Sequence, residues 1–152
     1  MQLDVKTGKF QLRHLNRVLE IERASFKHPY NAGIFLYYRF RSPEGFLMAE
    51  AGDEVVGYII VSTQLLGWRR EGKLISVAVD PDYRRRRVGS KLMEEALRYL
   101  AKSGTKRVSL EVRESNLAAI KFYETFGFQK ERIISRYYEN GENAVQMCRE
   151  LV

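Results

Sequence analysis

The chain has a single cysteine, three prolines and two histidines in 152 residues. One thiol, Cys148, excludes an internal disulfide, and a reducing, cytoplasmic setting fits that composition. The sparse His and Cys form no cluster at ligand spacing, so no metal is expected. None of the prolines marks a domain boundary. There is no repeat, no low-complexity tract and no Pro/Gly/Ser linker, so one domain over residues 1–152 is expected. The opening stretch, MQLDVKTGKF, lacks the apolar segment of a signal peptide. The most apolar run, VVGYIIV at 55–61, is far too short to span a bilayer, so no membrane partner is expected.

What is present is the balance of a globular domain: 45% hydrophobic and 30% charged residues, with a net charge of +7. Such a length buries a core without disulfide staples. The positive balance attracts acidic or phosphorylated partners.

Apolar periodicity lays out the elements. A short strand is expected over Leu3–Val5 and a helix from about Gln11 to Phe26, ended ahead of Pro29. A second helix runs from Ala32 to Phe40. GFLMAEA (45–51) and VVGYIIVST (55–63) read as a hairpin, LLGWRREG (65–72) as a loop and KLISVAV (73–79) as a strand. Val88, Leu92, Ala96, Leu97 and Leu100 form the stripe of a helix over 88–102. RVSLEV (107–112) is a strand, and Ser115-Asn116 caps a helix over 117–125 that Gly127 closes. FQKERIISRYY (128–138) and NAVQMCREL (143–151) are strands around Asn140-Gly141, a hairpin signal. The order β-α-α-β-β-β-α-β-α-β-β implies a mixed sheet with helices on its faces: a three-layer α/β (α+β) domain.

Four consecutive arginines, Arg84–Arg87, precede the helix at 88. A solvated basic turn, a nucleic-acid surface and a phosphate cradle compete to explain them. Position separates these readings. The run joins a strand end to a helix start, where backbone N–H groups and the helix dipole favour an anion. A nucleic-acid face would spread its charge and add stacking aromatics. A small phosphorylated ligand is the reading that placement favours.

VAVDPDYRRRRVGSKLM resembles the acetyl-CoA loop of the GNAT superfamily of N-acetyltransferases, whose pattern is Gln/Arg-x-x-Gly-x-Gly/Ala. Arg84 takes the first place and Gly89 the last. Arg87 stands where the family has its first glycine, which costs about 1 kcal/mol or more if its φ is positive. SLEVRESNLAAIKFYETFGF at 109–128 is similar to the second motif of the RimI-like ribosomal-protein alanine N-acetyltransferases. The resemblance covers roughly Asp4 to the end. It implies a GNAT-type fold with about seven strands and four helices, acetyl-CoA as cosubstrate, and direct attack of an amine on the thioester.

The resemblance also assigns roles. The backbone of Val77, Ala78 and Val79 would hold the pantetheine arm, and Arg85, Arg86, Arg87, Val88, Gly89 and Ser90 the pyrophosphate. Asn116 would contact the cofactor. Tyr123 would contact it too and protonate the leaving thiolate. Glu111 would be the general base. By spacing alone, Glu111 is a carboxylate on an amphipathic strand, paired to Arg113 or to water. Tyr123 is by itself a core aromatic beside Phe122, Phe126 and Phe128. SFKHPY (25–30) resembles the substrate loop of RimI-like enzymes and offers Phe26, Pro29 and Tyr30; SRYYENGEN (135–143) resembles their substrate hairpin and offers Tyr137 and Tyr138. The partners so implied are N-termini of proteins or peptides, ribosomal proteins among them. Acetylation of a small amine or a lysine side chain is the alternative within the fold. A non-catalytic CoA- or RNA-binding module is the alternative from another class, with nucleic acid otherwise only an indirect partner. Cys148 reads as a small core residue and His14 as a surface or capping histidine.

Overall fold

The computed structural model describes residues 4–151. Its elements are β1 (Val5–Lys9), α1 (Leu15–Ser25), α2 (Ala32–Arg41), β2 (Phe46–Ala51), β3 (Glu54–Leu66), β4 (Arg69–Val79), α3 (Val88–Lys102), β5 (Arg107–Arg113), α4 (Leu117–Thr125), β6 (Gln129–Ile134) and β7 (Ala144–Glu150). This is the element order expected from the sequence. Leu3 lies outside the described residues, and the first strand runs on to Lys9. The first helix is preceded by a separate 3₁₀ turn at Leu12–His14.

The seven strands form one sheet in the order β1-β2-β3-β4-β5-β7-β6. Only β4 and β5 are parallel, joined through α3. Helices α3 and α4 cover one face, where Leu92, Met93, Ala96 and Leu100 pack on Val56, Ile59 and Leu110. Helices α1 and α2 cover part of the other, where Val18, Ile21 and Phe35 pack on Phe46, Tyr58 and Ile60. The interior strand β3 is thus covered on both sides from Val55 to Val61, which is why its sequence is an unbroken apolar run.

Two segments depart from the sequence reading. LLGWRREG is strand, not loop: β3 and β4 stay paired out to Leu66 and Arg69, and Gly67 (φ +67°) opens the two-residue turn between them. Glycine at the first turn position suits the twist of a hairpin. On the other side, FQKERIISRYY stops being strand at Ile134; Ser135–Asn143 form a loop in which Arg136 is left-handed. Tyr137 and Tyr138 are therefore loop residues.

Beta4 and β5 pair at Glu71–Lys73 with Arg107–Ser109 and no further. Beyond that rung the two strands separate, and the backbone edge of Ile75–Val79 faces an opening rather than a neighbour. No helix among the described residues is long and apolar enough to cross a membrane.

Candidate active site

The opening between β4 and β5 is bounded below by the helix start that follows the arginine run. Arg84 is folded back on the protein: its Nε donates to the Val79 carbonyl at 3.1 Å and its terminal nitrogen to Ser25 Oγ at 3.1 Å. Arg86 lies over the Tyr83 ring. Arg85 (φ +62°) and Arg87 (φ +65°) are both left-handed. The glycine position held by Arg87 is therefore strained, by about 1–2 kcal/mol for an L-residue there. Left-handed residues turn successive N–H groups to one side, an arrangement that accepts an anion. Helix α3 begins at Val88 with no side-chain cap and no acidic residue in its first turn, which leaves the N–H groups at its start free for a ligand. Gly89 sits where a Cβ would touch Phe122 and Val79, between α4 and the end of β4. These features fit a pyrophosphate.

Asn116 caps α4, its side-chain oxygen accepting from the Ala119 N–H at 3.2 Å, and its amide NH₂ remains available. Tyr123 is buried on the same helix, edge-on to Phe122 and Phe128. Burial first, then the neighbouring Tyr138, raise its phenol well above the ordinary tyrosine value, so it is a neutral O–H donor. Phe122 and Phe126 are half-buried against the core; of the three phenylalanines expected inside, only Phe128 is fully enclosed.

Glu111 lies on β5, opposite Gln146 of β7. Its carboxylate takes Lys73 Nζ at 2.5 Å, the Tyr137 hydroxyl at 3.2 Å and Gln146 Nε2 at 3.3 Å. The pairing with Arg113 that spacing alone allowed does not form: Arg113 bonds Glu142 at 3.2 Å and stacks on the Tyr138 ring at 4.0 Å. Strand spacing put Glu111 and Arg113 on one face, but the loop after β6 draws Arg113 away. Burial alone would lower the Lys73 pKa; its bond to Glu111 outweighs this and holds it above the ordinary lysine value.

The loop after β6 reaches this carboxylate through Tyr137. Tyr137 and Tyr138 stack edge to face at 5.0 Å. Burial pushes Tyr138 up to about 12, with Arg113 opposing and Tyr137, Tyr30 and Glu111 adding to the rise. Tyr30 in turn feels Glu22, Tyr137, Tyr38 and Lys73. The loop between α1 and α2 and the loop between β6 and β7 are therefore neighbours. Phe26 is half-buried against the α1/α2 core, Pro29 is exposed and Tyr30 stands 41% exposed at the rim.

Several contributors escaped the sequence reading. Lys73 is the closest partner of Glu111, and the alternation of β4 beside the parallel β5 was the signal that could have found it. Glu22 is buried at 2% exposure; it accepts from Tyr58 and from the Tyr30 N–H, and Tyr58 also contacts Ser76 on β4. His14 is not a surface residue. It is buried, and it is the capping histidine that the sequence reading allowed: its Nδ1 accepts from the Gln11 N–H at 3.0 Å at the start of the 3₁₀ turn. Cys148 is half-buried on the open face instead of in the core.

The acetyltransferase (GNAT) family profile matches residues 15–128, and the chain belongs to that family. It is 35% identical over 143 residues to an uncharacterised N-acetyltransferase of Methanocaldococcus jannaschii, covering 93% of this chain and 89% of that protein. An N-alpha-acetyltransferase of Saccharolobus solfataricus is 30% identical over 146 residues, covering 90% and 87%. Among solved structures, Ard1 from Thermoplasma volcanium superposes with a TM-score of 0.91 at 30% identity, over 97% of this chain and 98% of that one. The ribosomal-protein-S18-alanine N-acetyltransferase of Escherichia coli does so with a TM-score of 0.81 at 29% identity, over 97% and 94%. The chain is an N-acetyltransferase.

Proposed function

We propose that the whole chain is one catalytic domain that acetylates the free α-amine at the end of a polypeptide. Acetyl-CoA supplies the acetyl group as an activated thioester. The chain's own residues do the rest. The left-handed Arg85–Arg87 turn and the Val88–Ser90 N–H groups bind phosphate oxygens. The free edge of Val77–Val79 and the Asn116 amide orient the thioester arm. Glu111, directly or through a water, takes the proton that the amine loses on attacking the carbonyl. Tyr123 gives its hydroxyl proton to the sulfur as the C–S bond breaks. A neutral phenol suits that step because its O–H is retained until thiolate charge develops.

The observation that carries the choice of acceptor is the placement of Tyr137 on Glu111 at 3.2 Å. With the loop that holds Tyr30 alongside, such an arrangement would leave a narrow entry, which would admit a chain end more readily than a mid-chain side chain. Phe26, Pro29 and Tyr30 offer a wall for the first side chain, and Tyr137 and Tyr138 offer hydroxyls to the backbone. Deprotonating an α-amine at pH 7 costs about 1 kcal/mol, against nearly 5 kcal/mol for lysine. A single carboxylate suffices for the first. The names of the relatives as N-alpha-acetyltransferases support the same reading.

The test is mass spectrometry of peptides that carry both a free N-terminus and an internal lysine. The acetyl group is expected on the terminus. Acetylation mainly of the lysine, or consumption of a free polyamine with neither peptide site modified, would overturn the assignment.

A further inference from the structure

We infer that the chain carries a second acceptor subsite, centred on Arg41, that takes an acidic side chain at about the third or fourth residue of the polypeptide being acetylated. The inference rests on the reading that the acceptor is a polypeptide N-terminus.

A cavity of about 440 Å³ runs from Glu111 across the open sheet face to the space between α2 and the β3–β4 hairpin. Three cations line it, Arg41, Lys73 and Arg107, against two carboxylates, Glu71 and Glu111. Most of this charge is spoken for. Lys73 is held by Glu111 at 2.5 Å, and Arg107 is held by Glu131 and by Glu150 at 3.6 Å. Glu71 is 3.8 Å from Arg69. Arg41 is different. Its terminal nitrogen donates to the Thr63 carbonyl at 2.7 Å, and among the described residues it has no carboxylate partner. The uncompensated charge of the cavity is therefore positive and sits at the end remote from the base.

The cavity connects the two ends. Tyr38, which lines it, feels the charge of both Lys73 and Arg41. A planar guanidinium with free N–H groups, lining the cavity with Tyr37 and Tyr38 and bonded to the hairpin at Thr63, matches a carboxylate better than any other side chain. The span sets the position. Glu111 on β5 and Thr63 on β3 are separated by two strand spacings, roughly 10 Å sideways, and by about as much again along the strands at ~3.3 Å per residue. An extended chain with its amine at Glu111 covers that distance in roughly three or four residues. The bare strands β4 and β5 form the floor along which it would lie.

The experiment compares six-residue peptides that share their first residue and carry Asp, Asn or Lys in turn at positions two to five. Each is assayed with wild-type protein and with Arg41→Glu. In the wild type, Asp at position three or four is expected to raise kcat/KM over Lys at the same place by roughly threefold to tenfold, mainly through KM and less so at high salt. In Arg41→Glu the Asp/Lys ratio should fall below one at that position alone. The ratio is read within one variant, so a general loss of folding does not move it. Equal rates for Asp and Lys throughout, or a preference that survives Arg41→Glu, would overturn the subsite while terminal acetylation of the Asn peptides leaves the Nα assignment standing. Acetylation on none of the termini would overturn both.

Discussion

The backbone N–H of Tyr30 donates to Glu22 Oε2 at 2.9 Å, so a buried carboxylate near the end of α1 holds the loop between α1 and α2. The other oxygen of Glu22 accepts from Tyr58 of β3, whose hydroxyl lies 3.0 Å from Ser76 Oγ on β4. Burial keeps Glu22 above the ordinary glutamate value. Replacement by alanine leaves the Tyr30 N–H and the Tyr58 hydroxyl without this acceptor, at a cost of about 1–3 kcal/mol. Glu22→Ala should raise KM for peptide more than it lowers kcat, and Glu22→Gln should restore most of the loss. Steady-state kinetics of the two variants decide it; an equal fall in kcat with KM unchanged would show that the carboxylate does not act through the loop.

Glu111→Gln and Tyr123→Phe nearly conserve volume, and the fold is expected to survive both. Each should lower kcat by roughly 10- to 10⁴-fold, the range for a lost general base or acid. Binding of CoA, read by calorimetry, should be little changed by Glu111→Gln. Two variants with wild-type turnover would leave positioning of the amine as the source of the rate.

Arg87 occupies the left-handed region at φ +65° ahead of α3. A glycine adopts that conformation without a steric penalty, while a β-branched side chain does not. Arg87→Val should lower the melting temperature and weaken CoA binding. Arg87→Gly should melt at or near the wild-type temperature, since relief of strain offsets the extra freedom of the unfolded chain. Thermal melts with and without CoA separate the two variants; a valine variant as stable as the glycine one would mean the turn relaxes.

Asp80 closes β4 and is buried. Burial by itself would raise its pKa, but the Asp82 N–H at 2.8 Å and the Arg17 guanidinium outweigh this and hold it below the ordinary aspartate value. A group lowered in the folded state stabilises fully above its unfolded pKa of about 3.9 and loses that contribution as pH falls towards the folded value. Asp80→Asn should therefore be less stable than wild type at pH 7, and the gap should narrow as pH falls below about 5. Urea midpoints across that range measure it, and a gap independent of pH would remove the carboxylate's charge from the explanation.

Helices α3 and α4 stand at the residues their sequences indicated, because a 3.6-residue stripe and an Asn cap are local properties that need no distant partner. The alternation of β5 likewise placed Glu111 on one face and Val108, Leu110 and Val112 on the other. The family was legible through the motifs at Arg84–Gly89 and 109–128; the left-handed turn at Arg87 was not. Strand ends followed pairing rather than composition, so β4 starts at Arg69 and β6 stops at Ile134. The choice between Arg113 and Lys73 as partner of Glu111 belonged to the tertiary structure alone. Arg113 is two residues away in sequence, but it is claimed by Glu142 and Tyr138 across the loop after β6. Lys73 is 38 positions away, yet a single parallel rung, Lys73 beside Ser109, brings its ammonium to the carboxylate. Local sequence determines which face a side chain occupies; which charge meets it there depends on strands that only the folded sheet sets side by side.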